Sequence, residues 1–587
     1  MSTDPYTFAI VGMGPRGSYA LECLIACLDG SPHQSQVRLL LFHDAADVGA
    51  GPVYDLDQPE SNWINITERA LRLDGRAELS FAGIHIPAFP SYHKWAELPQ
   101  DPWPASRTDT FPPRAHVGKY LHARAHSLIQ PLENGGVATF VNHRVRHLSQ
   151  NDRQWSITNS QGQEWLADEV LLTIGHQPTS TDDQITGWKN IADSNVGLSL
   201  HTDPYPTAPI VEHATALDGD ITIAIRGYGL AMMDVVRRLA LTFGEFVASD
   251  RDDGEITYRQ TSGGVFQVVP FSLDGLPMSP KPLKPANDAL FAPTDEELAQ
   301  LQATLQSRVA QANAEDAELL IDAIVPIAAR VFQGLPDRHP DAPTDDDDLT
   351  ALIGTWLKDA DTEHPSLSDH STPPEQVLRR SVAMASGNSP VSVDYCLGQV
   401  WRHCHPTIYA SLSYNELREP ALGATIALDE RVKRYSFGPP VESIRQLCAL
   451  AAAGVLDLDF VVDTDIVCDE HGWTLSSAGR SVTASTMVDS VLDSPQIEKV
   501  VAPLIVDLLS DSVLQPVHDR LGIVTNTDAT VRSANHDDSP TLAVLGRLAK
   551  GTVIGVDAIL ECFGERPQHW AEGACARLPS ARQPSPG

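Results

Sequence analysis

The sequence predicts an α/β protein built on two dinucleotide-binding, Rossmann-like domains, the first of them discontinuous, with an inserted helical region. Three observations predict it. Phe8-Ala9-Ile10-Val11 runs without a linker into Gly12-Met13-Gly14-Pro15-Arg16-Gly17 and then into a helical pattern over 18–28. The same order recurs at 221–242, where Ile221-Thr222-Ile223-Ala224-Ile225-Arg226 leads to Gly227-Tyr228-Gly229 and an amphipathic helix. A third apolar strand, 541–545, empties into a late glycine-rich stretch, Gly546 to Asp557.

The first unit has the form a dinucleotide pyrophosphate needs. Gly12 allows the sharp turn, Gly14 lets backbone N–H groups approach phosphate, and Gly17 lets helix and strand pack closely. The phosphates then lie on the positive end of the helix. A second strand, 37–42, precedes His43-Asp44, and an acid there hydrogen-bonds the adenosine ribose, so Asp44 is the candidate; a solvated loop aspartate is the alternative, with Asp47 close by. Gly49-Ala50-Gly51-Pro52-Val53-Tyr54 is another glycine-rich turn leading to 61–67. There Asn65 is placed to offer an amide to an isoalloxazine ring, a plain turn and edge strand being the alternative. Strands are expected at 141–149, 155–159 and 169–173, the last closing on Thr173-Ile174-Gly175 at the cofactor edge. In the second unit Met232 replaces the third glycine, which leaves a structural turn as the competing reading. Arg226 and Arg259 are candidate partners for a ribose 2′-phosphate.

Between and after these units, Thr294 reads as an N-cap before a helical region reaching about residue 333, and Asp345 to Asp348 as a solvated loop or helix start. A helical block spans 374–456; within it His403 and His405 are two apart and point to different sides, which favours structure over metal. The late stretch brings Gly546, Gly555 and Asp557 to the first cleft with a helix N-terminus behind them. The expected division is 1–210 for the first part of the first dinucleotide-binding domain, 211–285 for the second, 286–455 for the helical insertion and remainder of the second, 456–576 for the rest of the first, and 577–587 for a disordered tail.

Composition narrows the function. A formal charge of −35 over 587 residues repels phosphate backbones and anionic headgroups, so nucleic acid and membrane surfaces are not expected partners. No window approaches the roughly 18 apolar residues of a membrane span, and the first residues lack a signal-peptide pattern, so a cytoplasmic protein is expected. The eight cysteines show no C-x-x-C pair and no zinc-finger spacing, so no metal is expected. A homo-oligomer is left open.

In chain order the segments IVGMGPRGSYAL, GAGPVY, PPRAHVGKYL, LLTIGHQP, IRGYGLAMMDV, VWRHCHPTIY, YSFGPP, ALAAAGVLDL and VLGRLAKGTVIGVDAIL resemble the FAD-NAD(P)-binding proteins related to flavin N-monooxygenases, the group that includes nitrosuccinate synthases. The resemblance implies FAD at Gly12, Gly14 and Gly17, Asp44 on its ribose, Arg114 as a positioning residue, and the nicotinamide cofactor at Gly227 and Gly229. It also implies the reaction: NAD(P)H, with NADPH favoured, reduces FAD, and O2 yields a C4a-hydroperoxide that hydroxylates the amine of a small amino acid such as aspartate. An NAD(P)H:flavin oxidoreductase and a non-enzymatic flavin-binding protein are the alternatives. An acidic substrate needs local positive charge in so anionic a chain. Arg402 and Arg547 are the expected carboxylate anchors, ordinary ion pairs being the other reading.

Overall fold

The computed structural model describes residues 5–45, 47–99, 103–151, 154–248, 254–261, 263–368, 372–492, 496–532 and 541–579. Nine strands form two parallel sheets. In chain order they are β1 (Tyr6–Val11), β2 (Val37–Phe42), β3 (Ala138–Val141), β4 (Glu169–Leu172), β5 (Ser199–His201), β6 (Ile221–Arg226), β7 (Phe266–Phe271), β8 (Thr486–Asp489) and β9 (Leu542–Val544). The first sheet runs β9-β4-β1-β2-β3 and the second β5-β8-β6-β7. Six helices matter for the site: α1 (Pro15–Leu28), α2 (Arg114–Asn134), α3 (Leu230–Phe243), α4 (Val393–Leu412), α5 (Glu419–Ser436) and α6 (Glu565–Arg577).

Strand β1 is a run of apolar residues because both faces are covered, as a parallel sheet requires; Phe8, Ala9 and Ile10 are buried. Its neighbours are β2 at Ile10↔Leu41 and β4 at Ile10↔Leu171. Strand β9 pairs with β4 at Ala543↔Leu171, so the end of the chain completes the sheet that the beginning starts. The first unit is discontinuous, as the late glycine stretch predicts. Helix α6 then packs Trp570, Ala571 and Ala574 into the core that α1 shares. Arg577 ends α6 by pairing with the buried Glu169 at 2.7 Å and with Asp528 at 2.5 Å. That residue lies in the helix and not in the expected tail, and 580–587 fall outside the described residues.

Both units share a plan. Each opens with a strand, a glycine turn and a helix, carries a three-stranded antiparallel meander (residues 145–167 in the first, 465–484 in the second), and returns with a parallel strand beside the opening one. This plan corrects two expected boundaries. Strand β5 joins the second sheet although it lies before residue 211, and β8, assigned with 456–576 to the first unit, pairs with β6 at Ala224↔Met487. In both units the strand that follows the meander lies beside the unit's first strand, and short strands far along the chain carry no local mark of which sheet they complete.

The helical body between them has its own core, contributed by Ile324, Phe332, Tyr395, Trp401 and Val432 among others, which also takes in Leu521 and Ile554 from the C-terminal segment. Thr294 caps its helix with a full capping box to Glu297, and Asp345 caps the helix Asp346–Lys358. The edge strand that was the alternative reading of 61–67 does not form; a single bridge joins Trp63 to Pro113. No helix among the described residues is long and apolar enough to cross a membrane.

Candidate cofactor cleft and its surroundings

The first glycine turn opens onto a cleft of about 560 Å³, within the range of small-molecule sites. Gly12, Gly14, Pro15 and Arg16 form its floor, with Asp44, Gly51, Gly175, Arg547 and Asp557 on its walls. The turn is built for close approach of backbone to backbone. Gly12 has φ +101°, and a Cβ there would stand 2.6 Å from the Thr173 carbonyl oxygen; on Gly17 it would stand 2.0 Å from that of Gly12. Gly14 differs: a Cβ on it would meet nothing nearer than 3.9 Å, so no protein atom demands glycine there. The space it leaves is on the open side, where a ligand's phosphates would rest against the N-terminus of α1.

Two further observations fit a nucleotide. His43 is buried, and burial lowers its pKa, so the ring is neutral; its Nδ1 lies 3.4 Å from the Met13 amide while its buried Nε2 has no partner among the described residues. Asp44, at the exit of β2, lines the same cleft and is half exposed, with Arg144 at 3.5 Å. A buried imidazole nitrogen and an accessible carboxylate at that end are polar groups awaiting hydroxyl or base partners.

At the other end Arg16 reaches across from the first turn to donate to the Val556 carbonyl at 3.1 Å. Its guanidinium sits where a Gly546 side chain would project, so Gly546 serves this contact and does not line the cleft. Gly555 serves another: a Cβ there would strike the Tyr409 ring at 2.3 Å. The helix N-terminus expected behind them is only the single turn Ile559–Cys562.

Asp557 is the pivot of this end. Arg547 reaches it at 2.8 Å, Lys433 at 3.0 Å and Lys550 at 3.4 Å. Burial would raise its pKa, but Lys550, Lys433 and Arg547 together hold the carboxyl well below the usual range. Arg547 therefore stands on the cleft wall but is already paired.

Asn65, Arg114 and Arg402 do not line the cleft. Asn65 Nδ2 donates to the Phe437 carbonyl at 2.9 Å, which joins the first unit to the end of α5. Arg114, at the start of α2, donates to Asp234 of α3 at 2.9 Å; Tyr205 donates to the same carboxylate at 2.5 Å. Asp234 is buried, and burial outweighs Arg114 to raise its pKa. One turn along α3, Arg237 lies 3.7 Å above the Trp63 ring. The helix of the second glycine turn is thus fastened to the first unit, and Arg114 is spent on that contact because a buried carboxylate is its strongest available partner.

Arg402 is likewise occupied. It donates to Gln399 Oε1 at 3.0 Å and pairs with Asp288, which also receives His403 at 3.1 Å and Arg69 at 3.0 Å. Of the candidate 2′-phosphate partners, Arg226 is held by Asp182 at 2.6 Å and Asp489 at 2.9 Å, and Arg259 by Glu245 on an exposed hairpin. The second turn itself has the expected form. Gly227 has φ +107°, and Gly229 has nothing within 4 Å of where its Cβ would be.

One residue that sequence reasoning passed over stands out. Lys281 lies in Ser279-Pro280-Lys281-Pro282, a segment pinned by Ser279 N–H to Arg434 O at 2.9 Å, Lys281 N–H to Pro439 O at 3.1 Å and Tyr395 O–H to Pro280 O at 3.0 Å. Its ammonium donates to the Asn65 carbonyl and forms no ion pair among the described residues. The only sequence signal was a lysine between two prolines.

Residues 9–177 match the family model described as FAD-NAD(P)-binding. The chain is similar to a nitrosuccinic acid synthase of Aspergillus oryzae, 29% identical over 237 residues covering 39% of this chain and 35% of that protein. It is also similar to an L-aspartate N-monooxygenase (nitrosuccinate-forming) of Streptomyces davaonensis, 24% identical over 286 residues covering 44% and 42%. Each alignment spans less than half of the curated relative. Among solved structures, a flavin monooxygenase from Stenotrophomonas maltophilia aligns over 98% of this chain and 99% of its own at 12% identity and TM-score 0.39. A cyclohexanone monooxygenase variant from Rhodococcus sp. Phi1 aligns over 97% and 86% at 11% identity and TM-score 0.43.

Proposed function

We propose that this chain is a flavin-dependent monooxygenase that uses FAD, NAD(P)H and O2 to N-hydroxylate the amine of a small amino acid, aspartate first among the candidates. The observation that supports it most is the glycine-floored cleft with an open side at Gly14, joined through Arg114 and Asp234 to a second strand, glycine turn and helix. The similarity to an L-aspartate N-monooxygenase supports the reaction class.

FAD, when bound, supplies the electron transfer and the oxygen activation. The chain's residues do the rest. Gly14 and Gly51 leave backbone bare for the pyrophosphate, His43 and Asp44 meet the nucleoside end, and Gly175 closes the edge below β4. Arg16 ties the first turn to Val556 and so fixes the wall that carries Asp557. Gly227, Tyr228 and Gly229 would hold the pyrophosphate of NAD(P)H at the N-terminus of α3, which Arg114 ties to α2. The substrate amine must arrive neutral to accept oxygen, which favours a site screened from water.

The test is a turnover experiment under ¹⁸O2 with NADPH and L-aspartate. Amino-acid-dependent hydroxylamine or nitroso product carrying ¹⁸O is the expected result. Flavin reduction with no labelled product from any small amino acid would overturn the reading and leave an oxidoreductase.

A further inference from the structure

Beside the Asp557 end of the cleft lies a group of charges that does not balance. Among the described residues, Arg69, Arg402 and Lys281 stand together with Asp109 and Asp288 to oppose them. Arg69 grips Asp109 at 2.8 Å and Asp288 at 3.0 Å, and Arg402 takes the other Asp288 oxygen. Lys281 is the cation left over, in a chain that carries 77 acidic against 42 basic residues and has no general shortage of counter-charge.

Its neighbours link it to the cofactor cleft. The Lys281 ammonium touches the Asn65 carbonyl, Asn65 bonds Phe437 O at 2.9 Å, and the Phe437 ring lies 5.1 Å from the His405 ring and 5.2 Å from Lys433 Nζ. Lys433 in turn holds Asp557 on the cleft wall. Asn65, Lys281, His405 and Phe437 all keep part of their surface accessible. His405 stacks on Tyr409 at 4.8 Å, and its Nε2 has no hydrogen bond among the described residues, standing 3.7 Å from Asp429 Oδ1. Burial and the nearby Lys433, Arg402, Lys281 and Lys550 push the His405 pKa well down, so its ring is neutral. A chain of contacts thus leads from the cofactor cleft to an unopposed ammonium beside a neutral imidazole with a free nitrogen.

We propose that Lys281 anchors a carboxylate of the substrate, beside Asn65, Phe437 and His405. The inference rests on the amino-acid reading above and adds to it the residue that takes the substrate's side-chain or main-chain carboxylate, the counter-ion the fold omits. A partly buried cation without an opposing charge costs stability, and a bound carboxylate restores it with a charge-assisted hydrogen bond. Burial and then Arg402 lower the Lys281 pKa to about 7, against a smaller opposing pull from Asp288, which is the behaviour of an ammonium lacking its anion.

The test uses FAD-loaded protein and two variants. Lys281→Gln keeps a donor for the Asn65 carbonyl and removes the charge; Lys281→Met removes both. Binding of succinate and L-aspartate is measured by calorimetry, and melting temperature without ligand. Both variants are expected to bind succinate at least about tenfold more weakly at full FAD content. Lys281→Met is expected to melt at or above the wild type, because it deletes an uncompensated charge. Wild-type protein that binds neither ligand, or Lys281→Gln that binds succinate as the wild type does, would overturn the proposal; should Lys281→Met not fold, the Gln variant decides. Parallel turnover separates the two readings. Oxygenated aspartate with KM unmoved by Lys281→Gln sinks the anchor alone, while Lys281-dependent succinate binding with no oxygenated product sinks the monooxygenase reading alone.

Discussion

The two glycine-turn units are built to one plan and differ where they meet a ligand. In both, the carbonyl-bearing turn is closed by a hydroxyl from the returning strand: Thr173 Oγ1 donates to Gly12 O, and Ser490 Oγ donates to Arg226 O at 2.7 Å. The first unit then uses a third glycine, Gly17, to bring helix against turn, whereas the second sets the buried Met232 there. The first ends its second strand in the accessible Asp44, while in the second Asp274 is engaged by Arg434. The lesson is that the turn and its hydroxyl latch are the conserved mechanics of this plan within one molecule, while side chains around them are free to serve packing or neighbours.

The sharpest way to break the comparison is at the middle glycines. Gly14→Val should purify colourless yet folded, since Gly14 has φ −72° and its Cβ direction is open, so only a ligand is displaced. Absorbance at 450 nm against circular dichroism checks it; a yellow, fully loaded variant would remove FAD from this turn. Gly12→Val is the contrast, failing through the fold with a loss of about 3 kcal/mol or more, from positive φ and a 2.6 Å clash with Thr173 O. Chemical denaturation reads that difference.

Next in size is the tie between the units. Arg114→Met leaves the buried Asp234 with the Tyr205 hydroxyl but without its counter-charge, and breaking such a pair costs about 3–5 kcal/mol. Reduction of bound flavin by NADPH should slow as well, because α3 loses its anchor on α2; unchanged denaturation and reduction would show the contact idle. Gly229→Val, with open space around its Cβ, should leave flavin bound and raise KM for NAD(P)H about tenfold or more through steric block of the pyrophosphate. Unaltered reduction kinetics would disconnect the second turn from the reductant.

The smallest effect is on acid stability. Burial would raise the Asp288 pKa, but His403, Arg402 and Arg69 hold it well below the usual carboxylate range. A depressed folded value means the contribution is present above the unfolded pKa of about 3.9 and is lost as pH falls from there toward the folded value. Asp288→Asn should therefore flatten the fall in melting temperature below about pH 4 relative to the wild type. An identical slope in both proteins would show that the clamp does not govern acid unfolding.

What the sequence determined by itself is local. A strand, a glycine turn and a helix are adjacent in the chain, so Gly12 to Gly17, Asp44, Gly175, Gly227 and Gly229 could be found from spacing and backbone sterics alone. The capping box at Thr294 and the discontinuity of the first unit were legible for the same reason, since each is written in a short motif. Tertiary structure alone decided which sheet β5 and β8 complete, because pairing partners hundreds of residues apart leave no local mark. It also decided which charges are spent. In the sequence Arg402 and Arg547 read as carboxylate anchors or ordinary ion pairs and Arg114 as a positioning residue; folding sets Asp288, Asp557 and Asp234 against them, while Lys281, unremarkable between two prolines, is the one left without an ion pair among the described residues of its cluster. Charge is a property of a residue, but counter-charge is a property of its neighbours, and only folding chooses those.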